Sequence, residues 1–184
     1  MRPVLFVLFL MVIGCKKPQQ INEIQLFRSN GQSTQIDPTE NAITVVYFLS
    51  PECPLCINYT LAFREMTNQF SSNSIVFYGV HSGEWFSAKE LEEYQLKYSL
   101  SFEMFLDNGN QLAQNLGATV TPEVFVLNSE SEIIYSGKID NWVNDLGKKK
   151  LEVSEHYLED ALTAFIKGKP INQKETTPIG CLIE

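Results

Sequence analysis

The chain has 184 residues, 44% apolar and 11% aromatic, which suits one domain with a real core and excludes a largely disordered chain. Asp and Glu number 22 against 14 Lys and Arg, and the net charge of −8 argues against a nucleic-acid-binding surface. There is no internal repeat, and the donors for any metal chemistry are few: four cysteines and two histidines.

Residues 1–14 read as a signal peptide. Arg2 supplies the positive start, and the apolar run over 4–13 is too short to span a bilayer. It ends in Val12-Ile13-Gly14-Cys15, which resembles the lipobox of bacterial lipoproteins. That resemblance implies that Cys15 carries a diacylglyceryl group and becomes the new N-terminus, giving a lipid-anchored, periplasm-facing protein of the bacterial cell envelope. An ordinary short signal peptide is the rival reading, but its small-x-small cleavage signature is absent. Residues 15–20 then form a lipidated tether, polar over 16–20. With Cys15 lipidated, the remaining thiols are Cys53, Cys56 and Cys181, and one is left over whenever two of them pair.

Residues 21–168 carry the domain. Ile24, Leu26 and Phe27, then Asn30-Gly31, then Thr34 and Ile36 predict a β-hairpin closed by Asp37-Pro38. Residues 43–49 are apolar and β-branched, as in a strand buried on both faces. Ser50, Pro51 and Glu52 break that run. Pro54 suits the first turn of a helix whose stripe is Leu55, Ile57, Leu61, Ala62, Met66 and Phe70. A second apolar strand over 74–80, parallel to the first, precedes a helix over 87–98 opened by the capping box of Ser87 and Glu90. A short strand over 102–106, the turn Asp107-Asn108-Gly109 and a short helix through Leu116 come next. Strands over 123–127 and 133–136 suit an antiparallel hairpin at one side of a mixed sheet. The last predicted helix runs 151–167, with Leu158, Ala161, Leu162, Phe165 and Ile166 buried and Gly168 and Pro170 at its end. Residues 169–184 form a polar tail that turns apolar around Cys181.

The chemistry concentrates in Cys53-Pro54-Leu55-Cys56, where a central strand hands over to a helix. Unpaired N–H groups and aligned peptide dipoles at a helix start favour negative charge. Up to about 2 kcal/mol of such stabilisation lowers a thiol pKa by roughly 1.5. Cys53, at the open end, is then the nucleophile, and Cys56, one turn on, resolves the mixed disulfide. Half of a zinc site is the first rival, but His81, His156 and Cys181 are not paired at ligand spacing. A purely structural disulfide is the second. Closing so short a loop stabilises by only about 2 kcal/mol before strain is subtracted.

Together with Thr121-Pro122 before another apolar run (GATVTPEVFVLN), the strand–CPLC–helix order resembles the thioredoxin-like fold, in its membrane-anchored or periplasmic redoxin branch. The likeness runs from about residue 43 to 167. It implies an α/β three-layer sandwich: a mixed central β-sheet flanked by helices, with an N-terminal β-hairpin. It also implies that Pro122 is cis and faces the cysteines, leaving the backbone at Thr121 free to pair with an extended substrate. The activity implied is thiol–disulfide exchange with exported protein substrates, as a monomer without cofactor, coupled to a membrane electron donor. One departure stands out. Where family members place a carboxylate beneath the cysteines, this chain has Tyr47 and Tyr59, leaving Glu52, Glu65 or water to move the proton.

Two other readings compete. A peroxiredoxin-like thiol peroxidase would use the pattern Pro-x-x-x-Thr/Ser-x-x-Cys. Ser50 fits it, but Val46 stands at the proline position, and Arg28 and Arg64 are not well placed downstream. A copper-binding thioredoxin-like chaperone would use Cys53, Cys56 and a histidine such as His81. His81 is read as a loop residue after the second strand, and His156 as solvated in the last helix. Trp85 and Trp142 are candidates for a peptide groove or for packing, and Lys148, Lys149 and Lys150 form an exposed loop. Cys181 is placed either near Cys53, as an extra resolving thiol or a cap, or in a surface groove.

Overall fold

The computed structural model describes residues 19–71, 74–83, 86–145 and 147–184. The signal peptide, Cys15, Trp85 and most of the tether lie outside the described residues. After a 3-10 turn at Ile21–Glu23 come β1 (Leu26–Arg28) and β2 (Ser33–Thr34), joined through Asn30 and Gly31, whose φ of +79° suits glycine. Then follow β3 (Ile43–Phe48), α1 (Pro54–Phe70), β4 (Ile75–Ser82), α2 (Ala88–Lys97), β5 (Glu103–Asp107) and α3 (Gln111–Leu116). The chain continues with β6 (Val120–Thr121), β7 (Glu123–Asn128), β8 (Ile133–Gly137), β9 (Val143–Asp145), β10 (Lys148–Lys149), α4 (Tyr157–Ile166) and β11 (Cys181–Leu182).

The main sheet has seven strands in the order β2-β1-β5-β4-β3-β7-β8. Strands β3, β4 and β5 are mutually parallel, as two buried runs joined by a helical crossover require, while β7, β8 and the β1–β2 hairpin run antiparallel. Alternation along β3 sends Val45 and Tyr47 to one face and Val46 and Phe48 to the other. The first face is covered by α1, α2 and α4 through Phe63, Leu91, Leu158 and Leu162. The second is covered by α3 and the first 3-10 turn, through Leu112, Leu116 and Ile21. The expected mixed sheet between two helical layers is present.

Several local expectations change. On α1 the buried stripe is Leu55, Cys56, Tyr59, Phe63, Thr67 and Phe70, whereas Ile57 and Leu61 are exposed. The large Tyr59 and Phe63 rings remove more apolar area from water than the aliphatic residues beside them, and they decide which face turns inward. The last helix starts at Tyr157 rather than 151, because the Asn141 side chain accepts hydrogen bonds from the Ser154 and Glu155 amides and holds that stretch non-helical. His156 therefore precedes the helix, exposed and 3.8 Å from Glu159, and Phe165 and Ile166 are largely exposed. Lys148 and Lys149 are not loop residues but form β10 against β9, with the Lys149 ammonium 4.6 Å from the Trp142 ring centroid.

Candidate active site

β3 delivers the chain to residues 49–52, which turn it so that Cys53 caps α1 with an extended backbone (φ −73°, ψ 116°) and Pro54 takes the first helical position. The sulfur thus faces the open N–H end of a 17-residue helix. Cys53 is 2% exposed and Cys56 fully buried. The Cys53 Sγ lies 3.1 Å from the Thr121 carbonyl oxygen and 2.6 Å from the Cys181 Sγ. The Cys56 Sγ accepts a hydrogen bond from the Ser50 amide at 3.3 Å. None of Cys53, Cys56 and Cys181 is in a disulfide.

Their protonation is divided. The Cys56 thiol hydrogen bond is the largest influence holding Cys53 down at about 4; burial opposes it, and the Cys181 thiol, the Cys56 backbone N–H and the Thr121 side chain assist. Cys56 goes the other way, pushed up first by burial and then by the hydrogen bond and charge it shares with Cys53. Cys181 is pushed up to about 12 by burial first and by Cys53 next. The site therefore offers one thiolate flanked by two thiols.

The Thr121–Pro122 peptide is cis and both residues are buried, with the Thr121 carbonyl against the Cys53 sulfur. Glu123, which sequence reasoning did not single out, holds the approach to it: its Oε2 accepts from the Thr119 amide at 2.8 Å and the Val120 amide at 3.2 Å. A carboxylate immediately after a cis-proline could have been noticed as a candidate for that task.

At the positions where an acid was sought, the Tyr47 hydroxyl is buried without a hydrogen-bond partner among the described residues, and the Tyr59 hydroxyl donates to Asp140 Oδ1 at 2.6 Å. Asp140, also missed, accepts the Trp142 amide at 2.8 Å as well, so the carboxylate reaches α1 from a distant loop. Glu52 sits exposed at the rim of the cysteine cleft. Glu65 and Trp142 line a different groove, between α1 and the segment leading to α4.

His81 belongs to β4 itself rather than to a loop, because the parallel pairing with β5 extends to Ser82. It is buried and lines the cleft with Cys53. Its Nδ1 is 3.2 Å from the Leu49 carbonyl. A carbonyl only accepts, so Nδ1 carries the proton and Nε2, without a partner among the described residues, keeps a lone pair. Burial, the leading influence, lowers its pKa and keeps the ring neutral. Among the described residues, no group of three or more His, Cys, Asp or Glu side chains is arranged to hold a metal ion.

Fold and site together define a redoxin: a thioredoxin-like sandwich with a thiolate at a helix N-terminus opposite a cis-proline. A sequence profile of the AhpC/TSA family matches residues 18–136, and the chain belongs to that family. Among solved structures, an uncharacterized conserved protein from Geobacillus kaustophilus is similar with a TM-score of 0.78 at 19% identity, over 88% of this chain and 87% of that one. A hypothetical protein from Sinorhizobium meliloti reaches 0.76 at 21% identity, over 86% and 88%. A secreted Mycobacterium tuberculosis disulfide oxidoreductase reaches 0.51 at 14%, over 59% and 78%. At these identities the likeness establishes the fold. No curated protein matches the sequence significantly.

Proposed function

We propose that the chain is a thiol–disulfide oxidoreductase of the bacterial cell envelope, held to a membrane through Cys15 and exchanging disulfides with exported proteins. The observation that carries the reading is the Cys53 thiolate beside a buried, protonated Cys56 and the cis Thr121–Pro122 peptide. Cys53 attacks a substrate disulfide, one substrate thiolate leaves, and Cys56 displaces the other as Cys53–Cys56 closes. The similar secreted oxidoreductase supports both the chemistry and the location. A membrane carrier supplies electrons in the same reading.

The test is insulin reduction with a dithiol regenerant, together with trapping of mixed disulfides by Cys56→Ser. Loss of both in Cys53→Ser is expected; reduction that survives without Cys53 refutes the reading. The AhpC/TSA match gives a peroxidase reading its own support. Against it, Arg28 pairs with Glu103 at 3.3 Å and Arg64 bonds the Tyr98 carbonyl at 3.5 Å, and neither lines the Cys53 cleft. Peroxide consumption that depends on Cys53 and outpaces insulin reduction would favour it. A copper-chaperone role is tested by metal analysis of protein purified without chelator.

A further inference from the structure

The tail is a built part of the site. Residues 174–176 are pinned to β8: the Ser136 amide donates to the Lys174 carbonyl and the Thr176 amide to the Ser136 carbonyl, each at 3.0 Å. The Thr176 hydroxyl oxygen also accepts the Lys138 amide at 2.7 Å. From there the chain crosses beside Pro122, and β11 pairs antiparallel with β6, placing Cys181 opposite Thr121 and Leu182 opposite Val120. The Ile183 amide donates to the Thr119 carbonyl at 3.0 Å, and Asn110 Nδ2 donates to the Glu184 carbonyl at 2.6 Å. A β-carbon on Gly180 would stand 2.2 Å from the Thr121 carbonyl oxygen, so this approach demands glycine just before the cysteine.

With β11 in place, Cys53 and Cys56 are 2% and 0% exposed, Cys53 at the floor of the cleft, while Cys181 is partly open and its sulfur touches that of Cys53. We propose that Cys181 is the sulfur through which the buried pair exchanges disulfides with its protein partners. This rests on the oxidoreductase reading and changes one step of it: the partner's sulfur meets Cys181, and Cys53 and Cys56 carry the electrons behind it.

The steps balance as pure exchange. In the oxidised protein Cys181 attacks the Cys53 Sγ; the Cys53–Cys181 bond forms, the Cys53–Cys56 bond breaks, and the Cys181 proton ends on Cys56. A partner thiolate then attacks Cys181, and Cys53 departs as the leaving thiolate. Its acidity suits it to that role, since low-pKa thiols leave fastest. The partner's second thiol displaces Cys181, which recovers a proton. Two electrons have passed from a partner dithiol to the protein disulfide, and the reverse sequence reduces a partner disulfide.

Three measurements on the full chain test this. In Cys56→Ser, non-reducing peptide mapping after mild oxidation is expected to find Cys53–Cys181 as the internal bond. Cys181→Ser is expected to lower turnover on a protein dithiol or disulfide at least tenfold. Gly180→Val added to Cys56→Ser, which keeps both remaining cysteines but dislodges β11, is expected to lose that Cys53–Cys181 bond. Unchanged or faster turnover in Cys181→Ser, with partners trapped on Cys53, overturns the inference and makes the tail a cover while leaving the oxidoreductase reading intact. No exchange in the unmodified chain removes that reading and this one with it.

Discussion

The acidity of Cys53 has a stated source, and it can be tested by changing one atom. Cys56 donates the hydrogen bond that contributes most to holding the Cys53 thiol at about 4. A hydrogen bond to a charged group is worth about 1.5–3 kcal/mol. At about 1.4 kcal/mol per pKa unit, losing it raises the Cys53 pKa by about 1 to 2. Cys56→Ala removes the donor and Cys56→Ser keeps one, so the pair separates hydrogen bonding from every other effect of losing the sulfur. The assay is the pH dependence of iodoacetamide addition to Cys53, resolved from Cys181 by peptide mass spectrometry. Its midpoint is expected to climb in Cys56→Ala and to stay near the parent value in Cys56→Ser. Equal midpoints in the parent and Cys56→Ala would refute the reasoning and leave the helix terminus as the source.

Three further outcomes are expected. Because folding lowers the Cys53 pKa from 9.0 to about 4, the thiolate stabilises the reduced fold fully above the unfolded value, and that stabilisation disappears as pH falls through about 4. The urea-midpoint gap between reduced parent and Cys53→Ala should therefore widen from acid toward pH 9, and a flat gap contradicts it. Phe63→Ala empties a fully buried site against the Tyr47 ring, 4.7 Å between centroids, and should cost about 3–5 kcal/mol in urea denaturation; a loss below about 1 kcal/mol would show the site collapsing freely. Glu123→Ala removes the acceptor that the Thr119 and Val120 amides share and should speed hydrogen exchange at those two amides above all; unchanged exchange there contradicts it.

How far the sequence could be read depended on whether the deciding contact was local. The run before Cys53, the Ser87–Glu90 box and Pro54 act within a few residues, and the elements they predict are present: Ser87 accepts the Glu90 amide and Glu90 accepts the Ser87 amide. Contacts between distant segments were out of reach. Asp107 looks like a turn residue, yet it is fully buried, accepting the Leu112 and Ala113 amides and the Ser82 hydroxyl to anchor α3. Asn141 delays the last helix from a loop in front of it, and Asp140 reaches Tyr59 on α1 from the loop after β8. On α1, Leu55 and Phe70 are buried and Ala62 and Met66 pack on the core as the periodicity predicts, but the rings of Tyr59 and Phe63 take the places expected for Ile57 and Leu61. For the tail, the sequence left a place near Cys53 and a surface groove as equal alternatives, because the edge it docks on lies some 60 residues away at Val120 and Thr121.

The short helix α3 receives both ends of the described chain. Asn115 holds the Gln19 carbonyl and Asn110 holds the Glu184 carbonyl, each at 2.6 Å, with about 7.5 Å of helix rise between the two asparagines. Glu184 also borders the Cys53 cleft. Cys15 precedes Gln19 by four positions, at most about 14 Å of extended backbone. In the lipid-anchored protein proposed above, a hydrocarbon chain on Cys15 would moor the molecule by the flank where the sulfurs open. A partner embedded in the same bilayer would meet the reactive edge from short range, whereas a freely diffusing one would have to approach along the headgroups.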